Sequence, residues 1–167
     1  MSQFKIWMRG TMGWGAAGAT ARVHPCSDAP RREGIVGFIG NAMGLDKYRD
    51  ADRLAELDRA VKSIHTDVIR RGEMFCDYQV ANGGKSYHYD KKGKRIGGRL
   101  WKMEGDTSGD PFVKSVWYRA DAEIVVTVVC ENEWLDRITD AVLHPKNIPY
   151  FGKKCCVGSY KITEVER

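Results

Sequence analysis

Residues 112–130 read FVKSVWYRADAEIVVTVVC, the most strand-like run of the chain. Valine, isoleucine and aromatic residues dominate both halves of this run, and such residues favour β-structure. We therefore predict two strands, at 112–119 and 123–130, on either side of Ala120, Asp121 and Ala122. The remaining elements are placed outward from this pair.

Segments on both sides of these strands carry either the alternating pattern of a strand or the 3.6-residue pattern of a helix. The helix predicted at 50–64 presents Leu54, Leu57, Val61 and Ile64 on one face. Glycines in the helix predicted at 32–44 suggest close packing or a backbone held against a ligand, with close packing favoured at Gly37 and Gly40. The predicted strands are 4–8, 66–71, 73–81 and 160–165, with 66–71 and 73–81 paired about Gly72. The predicted helices are 32–44, 50–64 and 131–143, the last with Trp134, Leu135, Ile138 and Val142 facing inward.

The order of these elements predicts an α+β fold. Once an insertion and its flanking strands are set aside, the order is βαββαβ, the split βαβ or ferredoxin-like (RRM-like) layout. We expect residues 1–167 to form a single ferredoxin-like domain, with residues 82–111 as an inserted basic thumb or β-hairpin. Many RNA-binding modules share this layout, although fold alone does not fix function.

The insertion carries most of the positive charge. Residues 85–102 read KSYHYDKKGKRIGGRLWK, with seven cations against Asp90, whereas the whole chain has a net charge of +5. Cations pair with phosphates, and the rings of Tyr87, Tyr89 and Trp101 can stack on bases. The pattern favours nucleic acid as the partner, while a solvated loop is the plainer alternative.

Composition narrows the class of protein further. With 43% hydrophobic residues, the chain can bury a core. No apolar run approaches bilayer length, and the N-terminus has no secretory hydrophobic region, so we expect a cytoplasmic protein without membrane contact. The five cysteines lack C-x-x-C spacing and are predicted to be reduced thiols. We expect no metal site and no cofactor.

Several motifs occur in an order that is typical of one family. They are Gly10 followed by Trp14-Gly15; PRREGIVGFIGNAMGL at 30–45; Asp77-Tyr78; YRADA at 118–122; AVLHP at 141–145; and PYFGKKCC at 149–156. Together they resemble the Cas-five (CasD) family of subunits of the CRISPR Cascade complex, most closely its type I-E branch.

The resemblance implies a non-catalytic subunit that holds the 5′ handle of crRNA. Such a subunit packs against the backbone and large subunits of Cascade and meets target DNA only indirectly, in antiviral defence. One branch of the family instead cleaves precursor crRNA without metal, and Lys85, Tyr87 and His88 would be the acid–base residues here. A freestanding RNA-binding module is a third alternative, and RNA from co-purification would separate the cases.

The candidate RNA contacts are cations, exposed rings and glycines at a helix start or loop. They are Trp14, Arg22, Arg31, Arg32, Gly34, Lys85, Lys91, Lys92, Lys94, Arg95, Arg99, Trp101, Lys102, Lys114, Gly152, Lys153 and Lys154. Free N–H groups near Gly34 could meet a phosphate at the start of a helix. Lys153 and Lys154 are expected in an exposed loop, where the family contacts the handle.

Overall fold

The computed structural model describes residues 1–20, 22–81, 85–89, 95–99 and 112–167. Within these ranges the fold mixes three helices with a six-stranded sheet and a separate two-stranded hairpin, so the predicted α+β class is confirmed. The elements are β1 (Ser2–Met12), β2 (Val23–His24), α1 (Arg32–Ala42), α2 (Ala51–Ala60), β3 (Val61–Arg70), β4 (Glu73–Ala81), β5 (Lys85–Tyr89), β6 (Arg95–Arg99), β7 (Phe112–Cys130), α3 (Asn132–Leu143) and β8 (Gly158–Glu166).

Strand β7 is the central strand of the sheet and pairs with four others. Its second half pairs antiparallel with β1 on one side and β3 on the other, and β1 also pairs antiparallel with β8. Its first half pairs with β4 and, in parallel, with the short β2. The prediction of two separate strands is wrong, because β7 runs on through Asp121, which adopts φ 53° where the pairing register shifts. Residues 120–122, which were predicted to separate two strands, lie at a bulge in one continuous strand.

Strands β3 and β4 do not pair with each other, contrary to the prediction. They lie end to end along β7, with Arg70 opposite Glu123 and Glu73 opposite Ala120. Gly72 forms the corner between them with φ +71°, and a Cβ there would lie 2.2 Å from the carbonyl oxygen of Ala120. The glycine that suggested a hairpin turn therefore allows a close backbone approach.

The helix predicted at 50–64 is too long. Helix α2 ends at Ala60, and Val61 and Ile64 belong to β3, opposite Cys130 and Val128. Apolar residues three apart suit a helix face, but the β-branched residues of this segment suit the sheet, where pairing with β7 satisfies their backbone groups.

The core lies between one face of the sheet and the helices. Phe4, Ile6 and Met8 of β1 alternate into it, and all four inward residues predicted for α3 are buried. Gly40 of α1 lies so near α2 that a Cβ would be 2.6 Å from Cδ2 of Leu54, which confirms the predicted close packing. Gly37 is exposed with nothing within 4 Å of such a Cβ, so the packing prediction is wrong there.

The backbone of part of the predicted thumb is an antiparallel hairpin. Lys85 of β5 pairs with Arg99 of β6, and Tyr89 pairs with Arg95. The rest of the predicted insertion, at 82–84, 90–94 and 100–111, lies outside the described residues. In the part of the chain that is described, no helix is both long and apolar enough to cross a bilayer.

Candidate nucleic-acid interface

A cleft of about 350 Å³ opens where the 149–158 loop meets the ribbon formed by β4 and the first half of β7. We call it the loop–ribbon cleft. The ribbon supplies aromatic rings, and the loop supplies two cysteines beside a pair of lysines. The lining residues are Thr11, Phe75, Cys76, Asp77, Tyr118, Cys155 and Cys156.

Two stacked rings form the ribbon side of the cleft. Phe75 and Tyr118 are cross-strand partners, with ring centroids 5.3 Å apart and planes inclined by 20°. Tyr118 is buried, whereas Phe75 is 42% exposed and offers a ring to the cleft. Tyr78, further along β4, is also exposed. The sequence analysis did not identify Phe75 as a site residue.

Backbone hydrogen bonds tie the 149–158 loop to Gly13, just after β1, and also close the loop on itself. The N–H of Gly13 donates to the carbonyl of Phe151 at 2.8 Å, and the N–H of Phe151 donates to the carbonyl of Cys156 at 2.7 Å. Gly152 adopts φ +85°, and a Cβ there would lie 2.5 Å from the carbonyl oxygen of Gly13. Only glycine fits this turn, so the role of Gly152 in the described contacts is to shape the loop.

Lys153 and Lys154 have different environments. The Nζ of Lys153 lies 4.6 Å from the ring centroid of Tyr118, is buried, and has no hydrogen-bond partner among the described residues. Burial lowers the pKa of Lys153, and the nearby charge of Lys114 lowers it further. The prediction that both loop lysines are exposed is therefore wrong for Lys153, while Lys154 is exposed.

Trp14 is buried and Gly34 is partly buried against it, which does not favour their prediction as RNA contacts. Trp14 is 2% exposed, and its ring centroid lies 6.2 Å from that of Phe151. Gly34 lies under this ring, since a Cβ there would be 3.2 Å from Cε3 of Trp14. The N–H of Gly34 already donates to the carbonyl of Arg31 at 2.9 Å, so it is not open to a phosphate.

The other predicted cations of the core are dispersed. Arg32 binds Asp58 at 2.9 Å and the carbonyl of Val61, and so ties α1 to the end of α2. Arg31 and Arg22 are exposed. Lys114 is half-buried on β7 opposite Gln79, and it is the predicted cation that approaches Lys153.

The predicted contacts of the insertion are only partly within the description. Lys85, Arg95 and Arg99 lie on the β5–β6 hairpin, as do Tyr87 and His88 of the nuclease alternative. Lys85 follows Ala81, the last residue of β4, by four positions, so it is at most about 14 Å from it. The remaining ones, Lys91, Lys92, Lys94, Trp101 and Lys102, lie outside the described residues.

The sheet face opposite the helices carries charges that are paired with one another. Arg70 binds Asp121 at 2.7 Å and Glu123 at 3.2 Å. The indole N–H of Trp7 donates to Glu123 at 2.8 Å. This pairing lowers the pKa of Glu123, with the Trp7 hydrogen bond as its largest cause. RRM domains stack bases on their sheet face, but here the loop–ribbon cleft offers the more available ring, that of Phe75. Within the described ranges, no group of three or more His, Cys, Asp or Glu is placed to hold a metal.

Comparison with solved structures shows related folds. The chain matches a structure described as a "CRISPR RNA-guided surveillance complex" with a TM-score of 0.62 and 23% identity, over 94% of this chain and 60% of that one. It matches a "Crystal structure of Cas protein" with a TM-score of 0.56 and 20% identity, over 93% of this chain and 59% of that one. The chain thus spans about 60% of the length of these structures.

A search of curated proteins gave no significant match. The profile of a family described as "CRISPR-associated protein (Cas_Cas5)" matches residues 14–167, which is nearly the whole chain. This match confirms the family that the ordered motifs suggested. The chain is a CRISPR-associated protein that belongs to the Cas5 family.

Proposed function

We propose that the chain is a non-catalytic subunit of a type I-E-like CRISPR surveillance complex and holds the 5′ handle of crRNA. The observation that carries the proposal is the loop–ribbon cleft, where the accessible ring of Phe75 meets the loop that carries Lys153 and Lys154 in a Cas5-family chain. Membership of the Cas5 family supports a place in a CRISPR surveillance complex, and the cleft offers a ring on which an RNA base could stack.

The cleft suits one unpaired nucleotide better than a duplex. Proteins read single-stranded RNA by stacking splayed bases on aromatic side chains. Phe75 is exposed above the buried ring of Tyr118, so a base could extend an existing stack. Such stacking is worth about 1–3 kcal/mol per base. The handle nucleotide in the cleft would therefore be held by its flat face.

Lysines of the loop and of the ribbon would hold the adjoining phosphates. Lys154 is exposed on the loop, and Lys114 lies on the ribbon. Lys153, with its buried Nζ, contributes positive potential from behind Tyr118. The basic segment 85–102 continues from the end of β4, so the insertion would extend the same cationic path.

The fold of the core and the protein partners of the chain are part of the same proposal. The strand order β8–β1–β7–β3, antiparallel throughout, supports a ferredoxin-like βαββαβ core. We propose that the basic insertion serves as the thumb of this core and that the chain joins backbone and large subunits in a cytoplasmic ribonucleoprotein. Co-expression with the neighbouring subunits tests this: purification in high salt should retain those proteins and one short RNA, whereas mixed RNA without protein would indicate a freestanding module.

Replacing Lys114 and Lys154 together with alanine is expected to weaken retention of the repeat RNA. Each lost single-strand phosphate contact removes about 0.7 from the slope of log affinity against log salt, so the slope should fall by roughly 1.4. Titration of a labelled repeat RNA at several salt concentrations measures this. Alanine at Lys47 and Arg49, which are exposed between α1 and α2, is the control with equal charge loss. Equal effects in both double variants would indicate general attraction and no cleft contact.

The purified chain is expected not to cut a labelled repeat RNA, either in EDTA or with divalent metal. The candidate acid–base residues Lys85, Tyr87 and His88 lie on a two-stranded hairpin, and general acid–base catalysis needs a rigid supporting shell. Denaturing gel electrophoresis over several hours measures cleavage. Cutting at one position in EDTA that disappears in His88→Ala would establish the endoribonuclease alternative.

A further inference from the structure

Thiols are concentrated at the loop–ribbon cleft. Three of the five cysteines, Cys76, Cys155 and Cys156, line it. All five are free thiols, and Cys26 and Cys130 are buried and do not line the cleft. A cleft lined by three thiols can be modified at cysteine as well as bind a ligand.

The thiols of Cys155 and Cys156 differ in access. Cys155 is exposed, and its thiol donates to the hydroxyl oxygen of Tyr118 at 3.6 Å. Cys156 is fully buried 4.0 Å away, and burial raises its pKa to about 12. Because the thiolate is the nucleophile, Cys155 is the member of the pair that can react.

Cys155 lies next to two cations of the 149–158 loop. It follows Lys153 and Lys154 directly in the chain. The Nζ of Lys153 is buried against the Tyr118 ring and lacks a hydrogen-bond partner among the described residues. Reactive cysteines are typically found in such electropositive, accessible surroundings. Cys155 and Lys153 both contact Tyr118, so an anionic adduct on the thiol would lie near a cation.

We infer that Cys155 is a site of reversible S-thiolation by a low-molecular-weight disulfide such as glutathione disulfide. The Cys155 thiolate attacks one sulfur of the disulfide, a new S–S bond forms, and the old S–S bond breaks. The departing thiolate takes up a proton and leaves as the free thiol. One disulfide is thus exchanged for another, with no further oxidant. The carboxylates of the glutathionyl group would lie near Lys153 and Lys154.

The mixed disulfide is favoured over a bond between Cys155 and Cys156. Neighbouring Cα atoms are about 3.8 Å apart, whereas disulfides usually join Cα atoms about 4.4–6.8 Å apart. A bond between adjacent cysteines is therefore strained, and strained disulfides are readily reduced. The buried, protonated Cys156 is also a poor nucleophile for the second step.

S-thiolation would block the cleft. The group added at Cys155 would displace the contact with Tyr118 and occupy space beside Phe75. A consequence that rests on the proposed function is that the thiolated chain retains repeat RNA less well than the reduced chain. Reduction of the mixed disulfide would restore binding, so the affinity for RNA would depend on whether cellular thiols are reduced or oxidised.

Glutathione disulfide applied to the reduced chain tests the inference, with peptide mapping by mass spectrometry. We expect the adduct on Cys155, its complete loss in Cys155→Ser, and its persistence in Cys76→Ser, a matched control from the same cleft. A main adduct on Cys76, or loss of two hydrogens from the 155–156 peptide in place of an adduct, would overturn the inference.

RNA binding is measured separately on the thiolated, reduced and Cys155→Ser proteins. If thiolation of Cys155 occurs and RNA retention falls only in the wild type, both the modification site and its place at the RNA site are supported. If the adduct forms at Cys155 without any change in retention, the modification site stands and the proposed RNA site fails.

Discussion

Replacing Trp14 with alanine is expected to lower the free energy of unfolding by about 3–5 kcal/mol, the usual range for a buried aromatic residue. Trp14 is 2% exposed, packs on Phe151, and covers Gly34 at the start of α1. Its indole N–H is directed at the sulfur of Met12 at 3.2 Å. Chemical denaturation followed by circular dichroism measures the loss.

Trp14→Phe is the control for this experiment. Phenylalanine keeps most of the apolar volume, so the loss should be clearly smaller than with alanine. Were Trp14 instead a ring that stacks on RNA, alanine would leave stability nearly unchanged and reduce affinity for the repeat RNA. The two readouts therefore separate a core residue from a contact residue.

Replacing Gly152 with alanine is expected to cost about 2–4 kcal/mol of stability, because strain and a backbone clash act together. The residue has φ +85°, and the added methyl would lie 2.5 Å from the carbonyl oxygen of Gly13. The loop would have to move, and Lys153 and Lys154 with it. RNA retention should then fall in the same variant.

Gly18→Ala separates the cost of the left-handed backbone conformation from the cost of the steric clash. Gly18 also has a left-handed backbone, with φ +78°, but nothing lies within 4 Å of a Cβ there. It should therefore cost only about 1–2 kcal/mol, the penalty of the conformation itself. Equal losses at both glycines would mean that the contact with Gly13 is unimportant. Denaturation curves under identical conditions give the comparison.

Strong periodic patterns predicted the fold well where local pattern and tertiary contact agree. The four apolar residues of α3 recur at helical spacing and are all buried. Val61 and Ile64 fit either a helix or a strand, and only their pairing with Cys130 and Val128 decides between the two. The corner at Gly72 was misjudged because its partner, Ala120, is distant in sequence.

The site was predictable only in part. The motif at 149–156 indicated the right loop, but the burial of the Lys153 Nζ depends on Tyr118 of β7. A tryptophan in a glycine-rich loop suggests an exposed ring, and only the contact with Phe151 reveals that Trp14 is core. Phe75 was missed because cross-strand stacking requires the register of β4 on β7.

The position of β7 at the centre of the sheet has a consequence for biosynthesis. Strand β1 emerges before its partners, which in the described part of the chain are residues 119–130 of β7 and strand β8. At about 5–20 residues per second, β1 waits on the order of 5–20 s for a partner. During that interval Phe4, Ile6 and Met8 are without their sheet, and an unpaired apolar strand is prone to associate with other chains. The newly made chain therefore depends on protection during translation, and slowing synthesis between β1 and β7 should lower the soluble yield.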